Sequence, residues 1–160
     1  MKIGFIGLGN MATAIIGGLL REDTTLSSED GNVTVITAAN IIGSAKTEAT
    51  RQKRAEQFGI AVTASNREVA EAADVLVLAV KPQFFPEVIA EIRDAVSENT
   101  LVISIAAGLT LERIAGLFDR NVTAMRLIRC MPNTPALVNA GCTAVVPGPG
   151  ATEADEALCL

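Results

Sequence analysis

A chain of 160 residues, 49% apolar and 19% charged, is long enough for one packed core and holds no low-complexity run. This excludes disordered, collagen-like and disulfide-scaffold classes, and the net charge of −5, with both signs interspersed, argues against a nucleic-acid partner. The lack of histidine removes His-based triads and most zinc sites, so neither a metal site nor a self-contained catalytic residue is expected; three scattered cysteines suit a reducing compartment.

Lys2 and the mostly apolar residues 3–20 imitate a signal peptide or membrane span. Gly4, Gly7, Gly9, Gly17 and Gly18 interrupt the run, and Arg21-Glu22-Asp23 stands where a cleavage site would be, so the stretch reads as strand 2–6, a turn and a helix of a cytoplasmic chain. The helix carries Met11, Ile15 and Leu19 on one face, suited to packing on a sheet. Residues 23–32 read as a loop and 33–37 as the second strand. Residues 43–58 read as a polar helix closed by Gly59, and 60–62 as a third strand. Ser65 and Glu68 have capping-box spacing and open a helix through Ala72. Residues 75–80 form a continuous apolar run, the pattern of a strand buried on both faces. Pro86 suits the first turn of a helix to about Val96, 101–105 a fifth strand, and Thr110 the cap of a helix to Phe118. Residues 123–129 and 142–146 are later strands. Such alternation predicts an α/β fold with a mostly parallel sheet over residues 1–150. Thr152 opens a further helix over 151–160. Its Leu158 and Leu160 are expected to find nothing of their own to pack on, as though the chain were the first domain of something longer.

Gly7-Leu8-Gly9-Asn10-Met11-Ala12 matches the G-x-G-x-x-[GA] fingerprint directly after a strand and at the opening of a helix. Gly7 permits the tight turn, Gly9 leaves room for a pyrophosphate, and Ala12 lets helix and strand approach closely. The class this predicts is a Rossmann-type, doubly wound dinucleotide-binding domain. Glu29 and Asp30 lie at the usual distance for a ribose carboxylate but precede the second strand, which is expected to end on Thr37-Ala38-Ala39-Asn40 without an acid. With Asn40 in the site and Lys46, Arg51, Lys53 and Arg54 following, any of which could reach a 2′-phosphate although each taken singly better suits a solvated helix face, NADP(H) is favoured and NAD(H) is the alternative.

Three more segments lie at carboxyl ends of strands, where open α/β sheets bind ligands: Ala79-Val80-Lys81-Pro82, Ser104 to Thr110, and Arg129-Cys130-Met131-Pro132-Asn133-Thr134-Pro135-Ala136-Leu137-Val138. With these and the opening Ile3 to Ala12, the chain resembles the pyrroline-5-carboxylate reductase family. The resemblance runs along the whole chain but covers only that family's first domain. It implies an NAD(P)H-dependent oxidoreductase of proline biosynthesis acting on a cyclic imine. It also implies a helical carboxyl-terminal domain, absent here, that forms the homo-oligomer and holds the substrate. By the same resemblance Ile6, Gly7, Leu8, Gly9, Asn10 and Met11 would hold the pyrophosphate. Asn66, Ala79, Val80, Lys81, Pro82, Ala106, Ala107 and Gly108 would line the adenosine and nicotinamide, with Asn133 and Pro135 beside the nicotinamide. Each has a structural alternative. Asn66 could start its helix, Lys81 be a solvated strand end, Ala106-Ala107-Gly108 a plain turn and Asn133 a brace for its own loop, while Cys130 and Cys142 suit a core. Departing from the family, Ala38 to Gly43 reads as a linker. Two other functions fit the residues: a non-catalytic NADP(H) sensor module, and a β-hydroxyacid dehydrogenase, although that group usually has glycine at position 12.

Overall fold

Short β-branched runs and helices alternate in the computed structural model, which describes residues 1–21, 25–27, 33–138 and 140–160. Strand β1 (Ile3–Ile6) turns into helix α1 (Asn10–Leu19). Strands β2 (Thr25–Ser27) and β3 (Val33–Val35) pair antiparallel as a separate ribbon. Next come β4 (Ile41–Ser44), α2 (Glu48–Phe58), β5 (Ala61–Thr63) and α3 (Asn66–Ala72). Then β6 (Val75–Leu78), α4 (Phe85–Ile92), β7 (Leu101–Ser104) and α5 (Leu111–Leu117) repeat the strand–helix unit. The order closes with β8 (Leu127–Pro132), β9 (Thr143–Pro147) and α6 (Glu153–Cys159).

The main sheet has the order β5-β4-β1-β6-β7-β8-β9, with β9 antiparallel to β8 and the other neighbours parallel. From β1 the chain runs outward to β4 and β5, then crosses to β6 on the other side of β1. That reversal opens a crevice at the carboxyl ends of β1 and β6. Alternation along the central strands divides the core in two. Ile6, Leu76, Leu78 and Val102 pack under α3, α4 and α5, while Ile3, Phe5, Val75 and Val77 pack with Ile16 of α1. At Gly4 an added Cβ would lie 2.8 Å from Val69 Cγ1, so the missing side chain lets α3 rest on the sheet. No helix among the described residues is long and apolar enough to cross a membrane.

Several expectations need correction. The second parallel strand is β4 rather than 33–37. Val33 and Val35 are exposed, whereas Ile41 and Ile42 are buried, and burial on both faces is what a central parallel strand demands. Gly43 therefore belongs to a strand, and α2 starts five residues later behind the cap Thr47, whose hydroxyl accepts from the Thr50 amide. Of the loop over 23–32, residues 25–27 form β2; Asp23, Glu29 and Asp30 fall outside the described residues. Strand β8 begins only after a short 3-10 turn at Val122–Ala124 and runs on through Met131 and Pro132. Helix α4 stops at Ile92, short of Val96. Helix α6 does find packing of its own: Leu158 and Cys159 rest against the Ile3–Phe5 side of the core, and only Leu160 projects. Cys130 is a core residue as expected, but Cys142 is exposed.

Candidate functional site

The glycine turn stands at the carboxyl end of β1, where the Gly7 amide donates to the Ser44 carbonyl (3.1 Å) and the Ala79 amide donates to Ile6 (2.9 Å). Gly7 has φ +94°, a conformation that disfavours side chains, and a Cβ there would lie 2.9 Å from Val80 Cγ1. Gly9 differs: its backbone is extended (φ −75°, ψ −172°), and a Cβ there would meet nothing within 4 Å. The glycine keeps a volume open in front of α1, whose first amides lack intrahelical acceptors and whose dipole favours an anion. No side chain caps that end. On the far side of the crevice, Gly108 has φ +76° and likewise faces open space. Two side-chain-free surfaces and an uncapped helix terminus fit an extended diphosphate ligand.

The parallel strands bring Ile6 to Met11, Asn66, Ala79 to Pro82, Ala106 to Gly108, Asn133 and Pro135 to one edge of the sheet. Asn40 does not join them. It sits at the amino end of β4, where its Oδ1 accepts from the Thr37 amide (2.9 Å) and its Nδ2 donates to the Met1 carbonyl (3.0 Å). The residues that follow β4 into the site are Ala45, Lys46 and Thr47. None is acidic, so the basis for favouring a 2′-phosphate moves from Asn40 to Lys46.

Of the basic residues after β4, two already have structural work. Arg51 Nη1 donates to the carbonyls of Ala45 (2.7 Å) and Lys46 (2.9 Å), bracing the β4–α2 turn. Arg54 Nε donates to the Leu8 carbonyl (3.3 Å) inside the glycine turn. Sequence spacing carries no signal for either contact. Lys46 stays exposed, its Nζ 3.7 Å from Glu87 Oε1 and 5.2 Å from the centre of the Phe84 ring. A weak surface pair of this kind can yield to a phosphate.

The structural alternatives divide. Ser65 caps α3, accepting from the Glu68 amide at 3.2 Å, and Asn66 is the first residue of that helix, as its structural alternative had it. Asn66 also ties the edge together, accepting from Ser44 Oγ (2.7 Å) and donating to Glu91 Oε2 (2.8 Å). Lys81 is exposed and precedes the 3-10 turn at Pro82–Phe84. Asn133 does brace its own loop, its Oδ1 accepting from the Cys142 amide at 2.9 Å. Among the described residues no cluster of potential metal ligands occurs. A groove of about 420 Å³ runs along the sheet face between α1 and α6, and its lining of Ile105, Pro132 and Ala136 reaches the same carboxyl ends of β7 and β8.

A doubly wound sheet whose glycine turn opens on an uncapped helix defines a dinucleotide-binding domain. Residues 2–108 match the family described as NADP oxidoreductase, coenzyme F420-dependent, and the chain belongs to that family. Over 159 residues it is 42% identical to pyrroline-5-carboxylate reductase of Escherichia coli, aligning 99% of this chain with 54% of that protein. Among solved structures it resembles a pyrroline-5-carboxylate reductase from Coxiella burnetii (TM-score 0.82, 32% identity, 98% of this chain and 56% of that one). It also resembles the Plasmodium falciparum pyrroline carboxylate reductase with NADP bound (TM-score 0.72, 25% identity, 98% and 51%). The chain thus spans about half the length of the relatives it matches.

Proposed function

We propose that this chain is the NADP(H)-binding part of a cytoplasmic pyrroline-5-carboxylate reductase, reducing 1-pyrroline-5-carboxylate to proline. The observation that carries the reading is the open space at Gly9 before the uncapped α1, on the edge that also presents the Met131-Pro132-Asn133-Thr134-Pro135 run. NADPH held there would supply the hydride for a C=N bond. The chain's own part is positioning: the α1 amides bind the pyrophosphate, Arg54 steadies the turn through the Leu8 carbonyl, and Ala79 to Pro82 and Ala106 to Gly108 present small residues and backbone to the remainder. Groups that grip the substrate carboxylate and protonate the ring nitrogen are proposed to come from a helical domain like that implied by the family resemblance, which would also form the homo-oligomer.

Two outcomes test this. Titration calorimetry should show the 160-residue polypeptide binding NADPH, while proline formation stays at background until the remaining half of a curated relative is joined in cis. Robust reduction by the polypeptide alone would overturn the assignment of the substrate groups. Absence of NADPH binding would overturn the cofactor assignment.

Cofactor choice is the second expected result. Lys46→Glu would place a carboxylate after β4, attracting ribose hydroxyls and repelling a 2′-phosphate. The NADPH-to-NADH affinity ratio should fall at least ~10-fold, a difference of about 1.4 kcal/mol. An Asn40→Asp variant, altered at the opposite edge, should leave the ratio unchanged. If the two variants behave alike, Lys46 does not read the 2′ position.

A further inference from the structure

Two thiols lie outside everything assigned so far. Cys130 on β8 and Cys159 on α6 both line the 420 Å³ groove between α1, the sheet and α6. Cys130 is buried among the residues of the Ile3–Phe5 side of the core, and Cys159 is half-buried and packs against the same cluster. Their approach follows from the geometry of both elements. Ile128 and Cys130 share one face of β8, with Arg126 just before the strand, and positions 155 and 159 share one helix face. The Arg126–Asp155 ion pair holds those two faces together. Cys159 is thereby presented to Cys130, and both are free thiols.

We propose that Cys130 and Cys159 form a redox site, oxidised by hydrogen peroxide entering the groove to a reversible disulfide that fastens α6 to β8. Cys130 stands near the carboxyl end of β8, but neither thiol is among the residues assigned to the dinucleotide, so the site does not rest on the cofactor reading. A hydrogen bond from the Cys159 thiol holds Cys130 below the ordinary thiol range against the opposing effect of burial. The same contact, with burial, pushes Cys159 up. Cys130 is therefore the nucleophile and Cys159 the resolving thiol. The Cys130 thiolate attacks a peroxide oxygen: an S–O bond forms, the O–O bond breaks, and the departing hydroxide takes up a proton to become water. The Cys159 sulfur then attacks the Cys130 sulfenic acid, the S–S bond forms and the S–O bond breaks. A second water leaves with the Cys159 proton. Each sulfur loses one electron, and peroxide accepts the two.

The test is mass spectrometry of the purified chain after brief exposure to a small excess of hydrogen peroxide. Free thiols should fall from three to one, a single peptide should link Cys130 to Cys159, and dithiothreitol should restore all three. Cys159→Ser should abolish the link and leave Cys130 trapped by dimedone as a sulfenic acid. Cys142→Ser should still form it. The proposal is overturned if Cys130 and Cys159 both remain open to alkylation after peroxide. It is equally overturned if the disulfide forms through Cys142, or if dimedone marks only Cys142 in the Cys159→Ser variant.

Discussion

Replacing Gly9 by valine should weaken NADPH binding at least ~10-fold, about 1.4 kcal/mol, with secondary structure and melting temperature close to those of the parent. The two halves of that expectation have separate causes. The backbone of Gly9 is extended, a conformation that β-branched residues adopt readily, and a Cβ there meets no protein atom within 4 Å. The fold therefore tolerates the side chain. The empty volume it enters lies before the α1 amides, where a pyrophosphate must approach the backbone closely. Gly7→Ala makes the contrast. With φ +94° and a Cβ 3.1 Å from the Ala79 carbonyl carbon, it should destabilise the protein and lose binding for that reason. Calorimetry paired with thermal melts separates the cases. A parent-like dissociation constant for a folded Gly9→Val protein would remove the pyrophosphate from this turn.

That turn was legible in sequence because motif and context agree over ten consecutive residues: an apolar strand, two glycines at fixed spacing, and a helical stripe. Ser65, Thr110 and Thr152 were legible for a similar reason, since each hydroxyl accepts from the amide three residues on. Strand β4 was not. Its four residues include a glycine and a serine, and the β2–β3 ribbon comes between α1 and β4 in the sequence, so the first β-branched run after α1 belongs to the ribbon. The overlooked signal was Ile41-Ile42, adjacent apolar β-branched residues that no amphipathic surface element would need. A second property of the site escaped for a different reason. Arg51 and Arg54 act on backbone carbonyls, which carry no sequence pattern, so both looked like candidate phosphate ligands while serving to shape the turns around the ligand.

The Arg126–Asp155 pair, 29 residues apart in sequence, was equally hidden, since no spacing pattern links an arginine before β8 to a carboxylate on the last helix. Arg126→Ala should cost about 3 kcal/mol at neutral pH, the lower end of the range for breaking a buried pair because Arg126 is itself 32% exposed. The Asp155 side chain is only 3% exposed. Burial by itself would raise its carboxyl. The Arg126 guanidinium, donating from Nε to Oδ2 at 3.0 Å and from Nη2 to Oδ1, and Thr152, whose amide donates at 2.9 Å, together outweigh that and hold the carboxyl below its usual range. A carboxyl lowered in the folded state contributes stability that is complete above its unfolded value, roughly pH 3.9, and is lost as pH falls through the lower folded value. In the variant only burial and the Thr152 contacts remain, so charging Asp155 becomes costly. The gap in urea midpoint between parent and variant should therefore be widest near neutrality and shrink as the pH falls through the ordinary carboxyl value, roughly 3.9, toward the parent's lower folded value. A gap that stays constant across that range would show that Arg126 contributes through packing and its bond to the Asn99 carbonyl, and that the ion pair stabilises nothing.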